Sequence, residues 1–196
     1  MAVVLTFPAV RICIFVVLML GISSGCTSPR EQPAAPEKTN VSKPPAPPAP
    51  PQPEDHRSLI VTFGDSLSAG YGADPGKSYP DFLQKLLDQN HLPYRVYNAG
   101  VSGDTTTDGV ERMPEILTLK PKITILELGG NDGLRGLPIT TTRANMEKII
   151  VALRGAGSQV ILAGMTLPRN YGPEYIHAFE QIYPQLAAQY HLRRIP

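Results

Sequence analysis

The sequence predicts an α/β fold built around a parallel sheet from about residue 57 onward, and three observations predict it. Four short runs, "SLIVTF" (58–63), "YRVYN" (94–98), "KITILEL" (122–128) and "SQVILAG" (158–164), are β-branched and nearly continuous in apolar residues. Strands buried on both faces look like this. Helical stretches lie between them, and each of the first three runs opens into a glycine-rich loop. Strand alternating with helix implies βαβ units and hence parallel pairing. The expected count is four strands and four helices, with no internal repeat.

Before that domain come two segments of different character. Residues 12–22, "ICIFVVLMLGI", form an apolar run after Arg11. It is about half the roughly 20 residues needed to span a bilayer. With Ser23, Ser24 and Gly25 behind it, residues 1–25 read as a secretory signal. "ISSGCTS" resembles a bacterial lipoprotein processing site, with Cys26 exposed by cleavage for lipid attachment. The aliphatic residue usual three places before the cysteine is Ser23 here, and the small residues at 23 and 25 equally suit ordinary signal peptidase. Residues 26–56 follow as a tether, with ten prolines between 27 and 55. Such a stretch forms no packed core and favours polyproline II, at about 3.1 Å per residue or up to roughly 90 Å in all.

Within the domain, the first run is followed by a helix expected at about 79–90. The clearest helical pattern is "TTTRANMEKIIVALRG", where Met146, Ile149, Ile150 and Leu153 fall at helical spacing and Gly155 supplies a stop. A last helix should start at Gly172–Pro173 and run towards Tyr190, kinked or broken by Pro184.

Composition narrows the function. The chain is 42% hydrophobic and 18% charged, which is ordinary for a globular protein, and its net charge is +1. Without the first 26 residues, which hold Arg11 and no acid, 17 positive side chains face 17 negative ones. That balance gives no nucleic-acid footprint. Two cysteines, Cys13 and Cys26, offer no disulfide framework, and no His/Cys cluster suggests a metal.

Ligands of open parallel sheets bind beyond the carboxyl ends of the strands. Three loops there stand out: "GDSLSAGYG" (64–72), "NAGVSGDTT" (98–106) and "LGGNDGLRG" (128–136). Acyl transfer needs a nucleophile and donors for the oxyanion. Ser66 can be the first, and the Ser66 and Gly103 N–H groups with the Asn131 amide can be the second. Taken singly, each residue is also explained as a turn: Asp65 as a helix cap, Asn131-Asp132-Gly133 as a tight turn, Gly100 and Gly103 as loop glycines.

"FGDSLSAGYG", "NAGVSGDTT" and "LELGGNDGLRG" resemble the first three blocks of the SGNH (GDSL) hydrolases. "LPRNYGPEYIHAFEQIYPQLA" extends the likeness to the periplasmic acyl-CoA thioesterase I, lysophospholipase and arylesterase branch. The resemblance runs from about residue 58 to the last residue. It implies a flavodoxin-like three-layer α/β/α sandwich with a five-stranded parallel sheet. It also implies Ser66 as nucleophile supported by Asp65, with Gly103 and Asn131 completing the oxyanion hole. The implied substrates are acyl esters or thioesters, including lipids, with no metal or organic cofactor. Location in the bacterial cell envelope is implied too, periplasmic and tied to a membrane through a lipid on Cys26.

The family's fourth block, Asp-x-x-His after a fifth strand, supplies the base and its orienting partner. "AAQYHLRRIP" closes the sequence where that strand should begin, so the expectation is a domain lacking the fifth strand, the final helix and the catalytic Asp and His. Strand four would then be a bare edge and the domain destabilised and aggregation-prone. Two other pairs need weighing. Asp88 to His91 has the right spelling, but a helix over 79–90 is roughly 18 Å long, and a base must reach within about 3 Å of its proton. Glu174 to His177 opens the last helix, where an exposed first-turn histidine is the plainer account. His191 lies at the far end of that helix and His56 in the tether. The chain is therefore expected to hydrolyse esters weakly or not at all. Two alternatives stand beside this: a catalytically silent acyl-ester or lipid binding protein, and a phosphate-binding flavodoxin-like domain, for which no GxxxxGKS or GxGxxG motif is present.

Overall fold

Strand β1, Ser58–Gly64, is the spine of the domain: after its exposed first residue every position is buried. It pairs on both sides, with β2 (Tyr94–Asn98) and with β3 (Ile123–Glu127). β3 pairs in turn with β4 (Gln159–Ala163), and β4 with β5 (Arg193–Ile195). All four pairings are parallel, and the order is β2-β1-β3-β4-β5. This computed structural model describes residues 55–196; the segments read as signal peptide and almost all of the tether lie outside the described residues.

Helices cover both faces of the sheet, giving the expected three layers. Helices α3 (Thr106–Thr118), α5 (Ile139–Gly155) and α6 (Pro173–Tyr190) bury Ile116, Ile149, Leu153, Phe179 and Leu186 against Val61, Phe63, Leu126 and Leu162. Helix α2 (Tyr79–Gln89) covers the other face, where Leu87 meets Ile60 and Ile125. Alternation along β1 sends Leu59, Val61 and Phe63 one way and Ile60 the other. The four long helices are joined by two short ones in the motif loops, α1 (Ser66–Ala69) and α4 (Gly130–Leu134). Helices α2 and α3 begin with reciprocal caps, Ser78 with Asp81 and Thr105 with Asp108, which fix where each leaves its loop.

Two expectations are corrected. The sheet has its fifth strand: Arg193–Ile195 pairs with Ile161, Leu162 and Ala163, and the Gly164 N–H donates to the Ile195 carbonyl at 2.8 Å. All three of its side chains are exposed, so "RRI" carries no apolar pattern, while backbone pairing needs none. β4 is therefore paired on both sides and is not the edge. Helix α6 also runs unbroken through Pro184. An interior proline costs about 3 kcal/mol, and burial of Phe179, Ile182, Tyr183 and Leu186 on both sides of it holds the helix together. Among the described residues no helix is long and apolar enough to cross a membrane.

Candidate active site

Ser66 is the first residue of α1, at the carboxyl end of β1. Asp65 caps that turn, its carboxylate accepting the Leu67 N–H at 3.0 Å. The Ser68 N–H is taken by Glu127 from the end of β3, also at 3.0 Å. Of the three leading amides of the helix, only that of Ser66 has no acceptor among the described residues. Helix N-termini attract negative charge through such free N–H groups. The serine hydroxyl and an unpaired donor thus share one residue.

Asn131, in α4 after β3, ties the three motif loops together. Its side-chain amide donates to the Asp104 carbonyl at 2.9 Å and to the Asp65 carboxylate at 3.3 Å. Gly103 precedes Asp104 in the loop after β2 and has φ +91°, a conformation that suits glycine. Its carbonyl accepts from Arg135 at 2.9 Å, and its N–H has no acceptor among the described residues. Asp132 next to Asn131 is fully buried and accepts from both the backbone and the hydroxyl of Thr106, at 2.8 and 2.6 Å, pinning α4 to the start of α3.

An open cavity of about 460 Å³ lies at this end of the sheet. Asp65, Ser66 and Asn131 line its polar side; Leu67, Leu134 and Leu167 belong to its apolar side. Gly103 does not line it, and reaches the site only through the Asp104 and Arg135 contacts. A cavity that is apolar with a few convergent polar groups suits an acyl chain ending in a carbonyl. Among the described residues no cluster of three or more His, Cys, Asp or Glu side chains could hold a metal.

All four histidines are exposed or half-exposed at the surface, and none lines the cavity. His91 sits just past the end of α2, His177 on the outer face of α6 and His191 at the C-terminal cap of α6. None of them is hydrogen-bonded to Ser66.

Sequence reasoning missed the supports beneath this surface. Arg112 of α3 donates to the carbonyls of Ala99 and Gly64 at 3.0 and 3.3 Å, pairs with the Asp104 carboxylate at 2.6 Å, and lies 4.9 Å from the centre of the Phe63 ring. Burial nevertheless pushes the Asp104 carboxyl upward, against the pull of Arg112. Glu127 is buried below Ser66, and its carboxyl is pushed up to about 7 by that burial, with the neighbouring Asp65 adding to the effect and Ser68 opposing it. Burial raises Asp65 as well. The available signal was the single acid inside the apolar run "KITILEL".

A family description, GDSL-like lipase/acylhydrolase, matches residues 62–196. This chain belongs to the GDSL-like lipase/acylhydrolase family. Esterase TesA of Pseudomonas aeruginosa is 41% identical over 138 residues, covering 70% of this chain and 69% of that protein. An arylesterase of Vibrio mimicus is 38% identical over the same shares. The thioesterase 1/protease 1/lysophospholipase L1 of Escherichia coli K12 is 37% identical, with 65% of its length covered. The crystal structure of AlinE4, an SGNH-hydrolase family esterase, superposes with a TM-score of 0.69 at 43% identity, covering 71% of this chain and 76% of AlinE4. The SGNH resemblance read from the three motif loops is borne out, and so is the α/β fold.

Proposed function

We propose that Ser66 is the nucleophile of a carboxylic-ester or thioester hydrolase of the arylesterase, acyl-CoA thioesterase or lysophospholipase type. The observation that carries this is the position of Ser66: first residue of a helix, own N–H unpaired, and joined through Asp65 to Asn131. In the reaction, the Ser66 hydroxyl attacks the acyl carbonyl, and the oxygen that becomes negative is met by the Ser66 N–H and by the Asn131 amide as it gives up its 3.3 Å bond to Asp65, with the Gly103 N–H, outside the cavity lining, brought in by movement of its loop. The apolar side of the cavity takes the acyl chain. Lipid attachment at Cys26, the Pro-rich spacer and a periplasmic, envelope location belong to the same proposal and rest on sequence alone.

Turnover also requires a base for the serine proton, and the placement of the four histidines away from the cavity favours a 196-residue chain that binds acyl esters and hydrolyses them little. Losing the base of a triad costs on the order of 10⁶ in turnover, leaving about 10³–10⁴ over water. The test is hydrolysis of p-nitrophenyl butyrate with and without added imidazole, which can substitute for an absent base. Slow turnover that rises with imidazole and vanishes in Ser66→Ala supports the reading. Fast hydrolysis without imidazole that His177→Ala abolishes would refute the assignment of the histidines. Imidazole-stimulated turnover equal in Ser66→Ala would refute the nucleophile.

A further inference from the structure

Glu127 is 5% exposed, and none of the chemistry proposed above uses it. One of its carboxyl oxygens, Oε2, accepts two hydrogen bonds from the same residue: the Ser68 N–H at 3.0 Å and the Ser68 hydroxyl at 2.7 Å. Ser68 is fully buried, and with its proton given to Glu127 its oxygen accepts from the Tyr79 hydroxyl at 3.0 Å. The other oxygen, Oε1, is buried without a hydrogen-bond partner among the described residues. A buried polar atom left in that state calls for a physical account. Space around this carboxyl is tight: a Cβ at Gly64 would fall 2.5 Å from Oε2.

We propose that Glu127 is a positioning residue for Ser66: by clamping both the amide and the hydroxyl of Ser68 it fixes the first turn of α1, so that the Ser66 N–H points free into the site. This rests on the reading of Ser66 given above. The Ser68 bonds alone favour a charged Glu127, whereas its burial and the neighbouring Asp65 favour the uncharged form, which keeps the clamp. A neutral carboxyl keeps Oε2 as a double acceptor and places a proton on Oε1, where the carboxylate of Asp65 is the acceptor at hand. The two carboxyls lie near enough to perturb each other's titration. The titratable groups near enough to Glu127 to influence its charge are Asp65 from the loop after β1, Tyr79 from α2 and Tyr183 from α6, and Asp104 acts in the same way on Asp65. The cation of this network, Arg112, is engaged by Asp104. Loss of the shared proton puts two negative charges under the place where the oxyanion forms, with no cation between them.

A boronic acid reads this without a catalytic base, because its boron adds the Ser66 oxygen while the hydroxyl proton is released to solvent, giving a tetrahedral anion held by the same donors. The experiment measures the Kd of phenylboronic acid for the full chain between pH 5.5 and 8.5, with Ser66→Ala as control. Glu127→Ala is expected to weaken Ser66-dependent binding about tenfold, the loss of roughly 1.4 kcal/mol, and Ser68→Ala by a smaller factor. Glu127→Gln should restore most of the affinity at pH 5.5, since the amide keeps the acceptor and supplies a proton. The ratio of wild-type Kd to Glu127→Gln Kd should then climb several-fold through neutral pH, a profile that a purely structural glutamate would not produce. A flat ratio overturns the inference, including where Glu127→Ala fails to fold. Wild-type binding no tighter than Ser66→Ala sinks the nucleophile reading itself, whereas Ser66-dependent binding unchanged in Glu127→Ala sinks only the role of Glu127.

Discussion

Gly100 gives the sharpest test of how the site is assembled. The loop after β2 passes directly over α1, and a Cβ at Gly100 would lie 2.2 Å from the Ala69 nitrogen and 2.6 Å from the Ser68 carbonyl carbon. These are backbone atoms, so no side chain can swing aside. The loop is also held on that spot: the Asn98 amide donates to the Ser68 carbonyl at 2.7 Å, and its oxygen accepts the Gly100 N–H at 2.9 Å. Gly100→Ala must therefore lift the loop from the helix. Overpacking of this kind costs about 3 kcal/mol, at the upper end of the usual range because backbone must move. For a domain of this size that lowers Tm by about 10 °C. Gly155, at the end of α5, is the internal control: a Cβ added there would meet nothing within 4 Å, and its φ is not positive. Gly155→Ala should be neutral or stabilise by about 0.5 kcal/mol through helix propensity. Urea unfolding followed by circular dichroism compares the two at constant m. Equal midpoints for both variants would refute the claim that the close approach at Gly100 holds the nucleophile loop.

Two further outcomes are expected. Glu127 rises from its ordinary 4.5 to about 7 on folding, so its contribution to stability is fully present below pH 4.5 and lost as pH climbs through 7. The loss is up to about 3 kcal/mol, and thermal unfolding across pH 4.5–8 should show it in the wild type and not in Glu127→Gln; parallel curves would contradict the raised carboxyl. Arg112→Met should destabilise by about 3 kcal/mol, because it strands a largely buried Asp104 carboxylate with a side chain 11% exposed. Adding Asp104→Asn should recover part of that, and strict additivity in the double variant would show that the pair is not coupled.

Strands β1, β3 and β4 were legible because they are written in apolar side chains covered by helices, and "SLIVTF" and "KITILEL" say so directly; the edge strand β2 has no buried residue and was legible from its Tyr and Val content. The motif loops were legible because glycine and polar residues are required where backbone meets a ligand. What escaped was structure made by backbone or by single buried acids. β5 consists of three exposed residues held only by main-chain bonds, which leaves no periodicity to read. Glu127 and Asp132 look like surface acids in a sequence, and only their distant partners Ser68 and Thr106 reveal them as buried. Pro184 does not break α6, because the local rule is outvoted by core contacts made on both sides of it.

The two bonds of the Asn131 amide reach 27 residues back to Asp104 and 66 residues back to Asp65. The shortest stretch that contains all three, residues 65–131, holds only two of the five strands, β2 and β3. The site is therefore a product of the finished topology, and a partly folded chain has no version of it. Whatever occupies the cavity must bind the native state alone, and its free energy of binding is added to the stability of the whole domain by RT ln(1 + [L]/Kd). A plain melting curve can then serve as the search for the natural acyl ligand: at a hundred times its Kd, such a ligand stabilises the fold by about 2.7 kcal/mol, whether or not a single ester bond is broken.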